Sequence, residues 1–428
     1  MTTDRSMAPP INPVPRVKLS VPEPLFLSNG IPVYIVEAGA LDLCRIELLF
    51  KAGNTAQEKK LTASFASSLS DSGTPRLNAE QIAESIDAYG AFLENEFFFD
   101  YASVNLYSLT RHVENASRIL GEVIRDASFP ENEFEVHSAF SRQRFLVAMK
   151  KVQHICSRKF SDLLFGNNHP YSTALEESDF DAITSHDVRR FYHRFYRPDN
   201  LMIFVSGQPG SNILSILEKE FGKIAWPSND EKPVFPKTLI PVSESGKFHI
   251  KVDDALQSAI KIGKRCYGRK DPRFPLLALA NTALGGYFGS RLMANIREDK
   301  GYTYGIGSGI MSLEYDAFWS ISTEVGADVT ADALKEIYFE IRKMNESGLS
   351  QDELATVKNY MLGSFLGSLD SPFQIGDKVR TIAFYGLDKN YYEYFTDKVS
   401  SADALEVGRV FNDVFSEENL VELVVGLR

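Results

Sequence analysis

Two segments of this chain, 219 residues apart, repeat one another, and that repeat limits the fold more than any other feature. Residues 187–207 read DVRRFYHRFYRPDNLMIFVSG, and residues 406–426 read EVGRVFNDVFSEENLVELVVG. In register, Tyr192 falls on Phe411, Tyr196 on Phe415, Asn200 on Asn419, Leu201 on Leu420 and Gly207 on Gly426. Each copy carries an aromatic stripe at helical spacing, a polar turn, and an apolar run that closes on glycine. That pattern predicts helix, turn and strand. Because each copy lies near the end of one half of the chain, the repeat points to duplication of a whole domain.

Between the halves, residues 226–245 (WPSNDEKPVFPKTLIPVSES) are rich in Pro, Ser and charge and have no sustained periodicity, as expected of a linker. The first 20 residues, with several prolines and no apolar core, read as an extended arm and not as a secretory signal. This leaves domains over 21–225 and 246–428, each of ordinary size. In the first, IPVYIVEAG and CRIELLFKAG read as strands, and FLENEFFFDYASVNLYSL as extended chain. Asn78 and Gln81 have capping-box spacing, Ile82, Ile86 and Tyr89 mark one helical face, and Gly90 supplies a stop. A long helical region is expected from Glu131 to Phe165. Strands, helices, strands, helices and a final strand predict an α+β fold. It would consist of two homologous α/β-sandwich domains, each a largely antiparallel sheet covered by helices.

The chain has 428 residues and a net charge of -11, which argues against nucleic acid or an anionic membrane as the main partner. No apolar run is long enough to span a bilayer. Cys44, Cys156 and Cys266 are far apart and form no C-x-x-C pair, as expected of reduced thiols in a cytoplasmic protein.

Familiar catalytic signatures are missing. The seven histidines include no pair four residues apart, and no G-x-S-x-G elbow or Walker loop occurs. From Val136 to Ser161 there is no Asp or Glu, only basic charge, so that stretch offers no carboxylate ligand. Residues 61–74, LTASFASSLSDSGT, read as a short helix running into a turn, with Ser64, Ser67 and Ser68 on its polar side. At that spacing His-x-x-Glu-His would set two zinc ligands and a general base on one face. In the second half, NTALGGYFGSRLMANIREDKGYTYGIGSG (residues 281–309) reads as helix, glycine turn, helix and strand. Arg297 would end the second helix and Tyr304, seven residues on, would lie in the strand. A guanidinium and a phenol so placed could grip a peptide backbone and an oxyanion, since both carry fixed donors. On spacing alone, an Arg297 ion pair at the surface with Tyr304 in the core is the favoured reading.

From about residue 20 onward, the two halves, FPENEFE, HPYS and LGGYFGSRL…IREDKGYTYGIGSG resemble the pitrilysin, insulinase and mitochondrial-processing-peptidase family of zinc metallopeptidases, the inverzincins. The resemblance implies α+β units that close like a clam around an unfolded peptide, of which this chain would be half. It also implies that His, Glu and His of the active family would fall on Ser64, Ser67 and Ser68, with a third ligand near Arg144. This chain would then bind no metal and need no cofactor of its own. Arg297 and Tyr304 match the family's substrate-binding pair in type and spacing. The implied function is a subunit that is inactive alone and supplies Arg297 and Tyr304 to a homologous zinc-bearing partner in a heterodimer. A homodimer remains open for the isolated chain. The alternative is a peptide-binding or structural relative that cleaves nothing.

Overall fold

The computed structural model describes residue 14 and residues 18–226, 233–235, 240–241 and 243–427. Most of the N-terminal arm and most of the linker lie outside these residues. Two mixed sheets organise the chain, in agreement with the α+β expectation. The first contains β1 (Leu25–Phe26), β2 (Pro32–Glu37), β3 (Leu43–Phe50), β4 (Phe92–Phe97), β5 (Ala102–Leu109) and β6 (Leu201–Gly207). Its strand order is β1-β2-β6-β3-β5-β4. The second contains β7 (Gly246–Lys251), β8 (Gln257–Arg265), β9 (Ile306–Ser312), β10 (Ala317–Gly326) and β11 (Val421–Gly426), in the order β7-β11-β8-β10-β9. Setting β1 aside, the two orders superimpose strand for strand. The one parallel pair in each sheet, β2 with β6 and β7 with β11, involves a repeated strand.

The repeat is therefore structural. Helices Ser185–Phe195 and Ala404–Phe415 precede β6 and β11, and their aromatic stripes stack: Tyr192 on Tyr196 with centroids 4.1 Å apart, Phe411 on Phe415 at 4.5 Å. The closing glycines have φ of 112° and 134°. A Cβ on Gly207 would stand 2.2 Å from the Leu43 carbonyl oxygen, and one on Gly426 2.8 Å from that of Gln257. Glycine ends both strands because the backbone leaves no room for anything larger.

The expected helix from Glu131 to Phe165 is two helices, Glu131–Ala148 and Val152–Phe165, separated where Lys151 is extended (φ −97°, ψ 124°). The break lets the second helix leave its own half. Cys156, Phe160 and Leu163 pack in one cluster with Ala259, Val421, Leu423 and Val425 of the second sheet. The exchange is reciprocal. Helix Pro372–Tyr385 of the second half lies on β2 and β6, with Val379 and Phe384 clustering with Leu49 and Phe204. Buried charge reinforces it, since Arg380 donates to Glu47 (2.8 Å) and Arg45 to Asp377 (2.8 Å). A third tie comes from the HPYS stretch. Tyr171 donates to Asp100 (2.6 Å), the other Asp100 oxygen accepts the Glu314 N–H (2.9 Å), and Tyr171 accepts that of Tyr315 (3.2 Å). Each half thus covers the open face of the other.

The Asn78–Gln81 capping box forms, with Ile82 and Ile86 buried and Gly90 at φ 59°. Cys44 and Cys156 are buried and Cys266 half-buried, none in a disulfide. Burial pushes all three thiols up to about 12.

Candidate functional site

The serine-bearing helix spans Thr62–Ser68 and ends well before Gly73, which forms an isolated antiparallel bridge with Asn78. The three serines do not share a polar face. Ser67 is buried at 1% exposure, turned toward β4, where its hydroxyl donates to the Glu96 carbonyl (3.2 Å). Ser64 donates back to the Leu61 carbonyl (3.1 Å), and Ser68 is exposed. Ser64 borders a cleft of about 470 Å³ whose other walls include Phe145, His154, Arg158 and His169. Arg144 does not line it. Its guanidinium lies over Phe140 (5.6 Å), while its neighbour Phe145 enters the cleft and packs on Phe180 and Arg158.

Zinc takes thiolate, imidazole or carboxylate ligands. These positions offer three hydroxyls, one already committed to a strand, and at Arg144 a guanidinium. Such a donor set does not fit zinc, and among the described residues no three His, Cys, Asp or Glu side chains group as a metal site. Of the imidazoles nearby, one is engaged through Nδ1 and its ring face. His169 accepts the Tyr171 N–H at Nδ1 (3.0 Å) and stacks on Phe165. Burial, and for His154 the neighbouring Arg158 and Lys151 cations, hold both rings below the ordinary histidine range.

In the second half the chain from Phe274 to Ser312 is built on one close approach. Helix Phe274–Asn281 runs into a wide turn over Thr282–Gly286. There a Cβ on Gly285 would meet Ser308 Oγ at 2.6 Å. Asn281 locks the turn to the sheet: its amide donates to the Ser308 carbonyl (3.2 Å) and its oxygen accepts from buried Trp319 (3.1 Å). Past the turn, Arg291 is bidentate to Glu353 (2.7 and 2.8 Å) and also reaches the Gly348 carbonyl (2.7 Å). This fixes the start of the π-helical segment Met293–Asp299 that carries Arg297. π-Turns of this kind recur at functional sites.

Arg297 and Tyr304 come together. The guanidinium carbon lies 5.8 Å from the Tyr304 ring centroid and 4.7 Å from that of Phe288. Tyr304 is not in the strand as expected, because β9 starts at Ile306. Thr303 Oγ1 accepts the Gly305 N–H (3.1 Å) and holds a turn there that leaves Tyr304 95% exposed. The core placement favoured by spacing is thus excluded. Arg297 has no carboxylate partner among the described residues. Beside Tyr304 is a cleft of about 410 Å³, lined also by Tyr302, Ser322 and Glu324 and, from the exchanged helix of the first half, by Gln153. Reading the sequence missed Phe288 and Phe145. The first was legible only as an aromatic among glycines, and the second as an apolar residue in a basic helix.

Residues 182–361 match the family described as the peptidase M16 inactive domain. The uncharacterized zinc protease YmxG of Bacillus subtilis is 26% identical over 70% of this chain and 72% of its own. The fold is that of the peptidase M16 inactive domain from Pseudomonas fluorescens: TM-score 0.84, 24% identity, 96% of this chain and 99% of that one. It also matches the periplasmic protease PqqL of Escherichia coli with TM-score 0.79 and 14% identity. That match takes in 99% of this chain but 49% of PqqL. The chain is therefore similar over residues 182–361 to the peptidase M16 inactive domain, and over most of its length to proteins named as zinc proteases.

Proposed function

We propose that this chain is the substrate-binding half of a zinc metalloendopeptidase acting on unfolded peptides. A homologous zinc-bearing chain would complete it as a heterodimer. The observation that carries this reading is the pairing of Arg297 with Tyr304, which lines a cleft, with no hydrogen bond from either polar end among the described residues. An extended peptide beside Tyr304 presents a carbonyl oxygen to the phenol O–H and the guanidinium N–H groups. Both donors strengthen as negative charge gathers on that oxygen during hydrolysis. The metal and the general base belong, on this reading, to the partner. The match to about half of a longer protease supports a chain that is half of a working unit.

The reading includes the division into units 21–225 and 246–428 and a cytoplasmic setting, and it allows a homodimer for the isolated chain. Among the described residues no helix is long and apolar enough to cross a membrane. The second reading, a non-catalytic peptide-binding or structural relative, is favoured by the match to an inactive domain alone.

Native purification with intact-mass and zinc determination separates the two. Two different chains with one zinc per pair support the half-enzyme, whereas a zinc-free homo-oligomer supports the binding protein. In the assembled enzyme Tyr304→Phe should lower peptide turnover by about 10²- to 10³-fold, the usual effect of losing one oxyanion donor. Full activity of that variant would remove Tyr304 from the site.

A further inference from the structure

We infer that Phe288 is a positioning residue for Arg297, holding the guanidinium between two rings so that its N–H edge meets a peptide carbonyl. This rests on the peptide-binding reading of Arg297 and Tyr304.

The two arginines of this segment are held in opposite ways. Arg291 spends its donors on Glu353 and the Gly348 carbonyl. Arg297 has no such anchor among the described residues, and a long side chain without anchors samples many rotamers. What limits it are two ring faces, Phe288 at 4.7 Å and Tyr304 at 5.8 Å. Contact through the rings restrains the cation and leaves its donors unspent.

The loop is shaped to deliver Phe288. Tyr287 turns inward and packs on Tyr360 (centroids 4.7 Å apart), and the Ser290 N–H closes the turn onto the Tyr287 carbonyl (3.1 Å). A Cβ on Gly289 would lie 2.8 Å from the far end of the Tyr287 ring, so a larger residue there would displace that ring. Phe288 is left pointing out at 60% exposure. A large apolar ring in that position has little packing role, and the recorded ring contact is with Arg297.

The ligand class is an extended peptide backbone, recognised through a carbonyl oxygen. The test is fluorescence anisotropy of a fluorescein-labelled random-coil peptide with an amidated C-terminus, titrated with the full chain. Phe288→Leu keeps bulk and removes the π face, and should weaken binding about two- to fivefold, the scale of one exposed cation–π contact. Phe288→Tyr should bind like the parent. In an Arg297→Ala background, Phe288→Leu should cost nothing more, because its effect passes through the guanidinium. Unchanged binding by Phe288→Leu alongside a loss for Arg297→Ala overturns the role of Phe288 alone. A Phe288→Leu loss that persists without Arg297 also overturns it, since the ring would then touch peptide directly. If Arg297→Ala binds as well as the parent, the peptide-binding reading falls and this inference with it.

Discussion

The two halves share a strand order, yet they treat their clefts oppositely. In the first half the cleft beside Ser64 persists, but its walls offer no metal-ligand set. Ser67 is tied to β4, Phe145 lines the cleft, and His169 accepts the Tyr171 N–H and stacks on Phe165. In the second half the chemically useful atoms are left unspent, with Tyr304 and Phe288 exposed and Arg297 restrained by rings alone. The difference teaches that a duplicated scaffold can commit the polar groups of one site to the fold while leaving those of another unspent, because only the second gains from unpaired donors.

The largest effect that could break this comparison comes from placing a charge on the buried side of the serine-bearing helix. Ser67→Glu puts a carboxylate where the native hydroxyl is 1% exposed and the nearest partner is a carbonyl acceptor. Burial without a donor should cost about 2–4 kcal/mol of folding stability, read as a lower urea midpoint at unchanged slope. A variant as stable as the parent would mean that this side of the helix can still host the ionised group, and that the change from the zinc pattern is only one of side chains.

Much of this was legible in the sequence, for reasons that differ by element. The repeat forecast the matched strands because period and glycine placement are local properties. Tyr192 with Tyr196 and Phe411 with Phe415 sit one helical turn apart, and Gly207 and Gly426 have no room for a side chain. The Arg297–Tyr304 pair was legible through the family resemblance and not through spacing, which favoured Tyr304 in the core. The exchange of Val152–Phe165 and Pro372–Tyr385 was not, since nothing in an apolar helix says which sheet it will cover. The inward turn of Ser67 escaped for a similar reason. A serine is as compatible with a buried carbonyl bond as with solvent.

A middle-sized effect comes from pH at the cleft beside Ser64. His169 titrates below the ordinary 6.5, chiefly because burial disfavours the imidazolium. The unfolded chain therefore binds this proton more readily than the folded one, and stability rises with pH across that window. It should be complete above about 6.5 and decline as pH falls through that value toward the lower folded pKa. Urea midpoints measured from neutral pH down to about 5.5 should show the decline, and His169→Gln should flatten part of it. An unchanged slope in the variant would mean that His169 is not one of the groups whose burial stabilises the folded state.

The smallest effect is the most discriminating for the open site. Arg291→Ala breaks a bidentate pair and a carbonyl bond that fix the π-helical segment, whereas Arg297→Ala removes only ring contacts at a surface. Thermal unfolding of Arg297→Ala should match the parent to within about 0.5 kcal/mol, as for a surface change away from any network. The same substitution should weaken peptide binding. A group that matters to a ligand and not to the fold is what the open half is argued to keep. Should Arg297→Ala instead lower stability as much as Arg291→Ala, its donors are engaged within the protein, and the contrast between a cleft stripped of ligands and one with unspent donors fails at its centre.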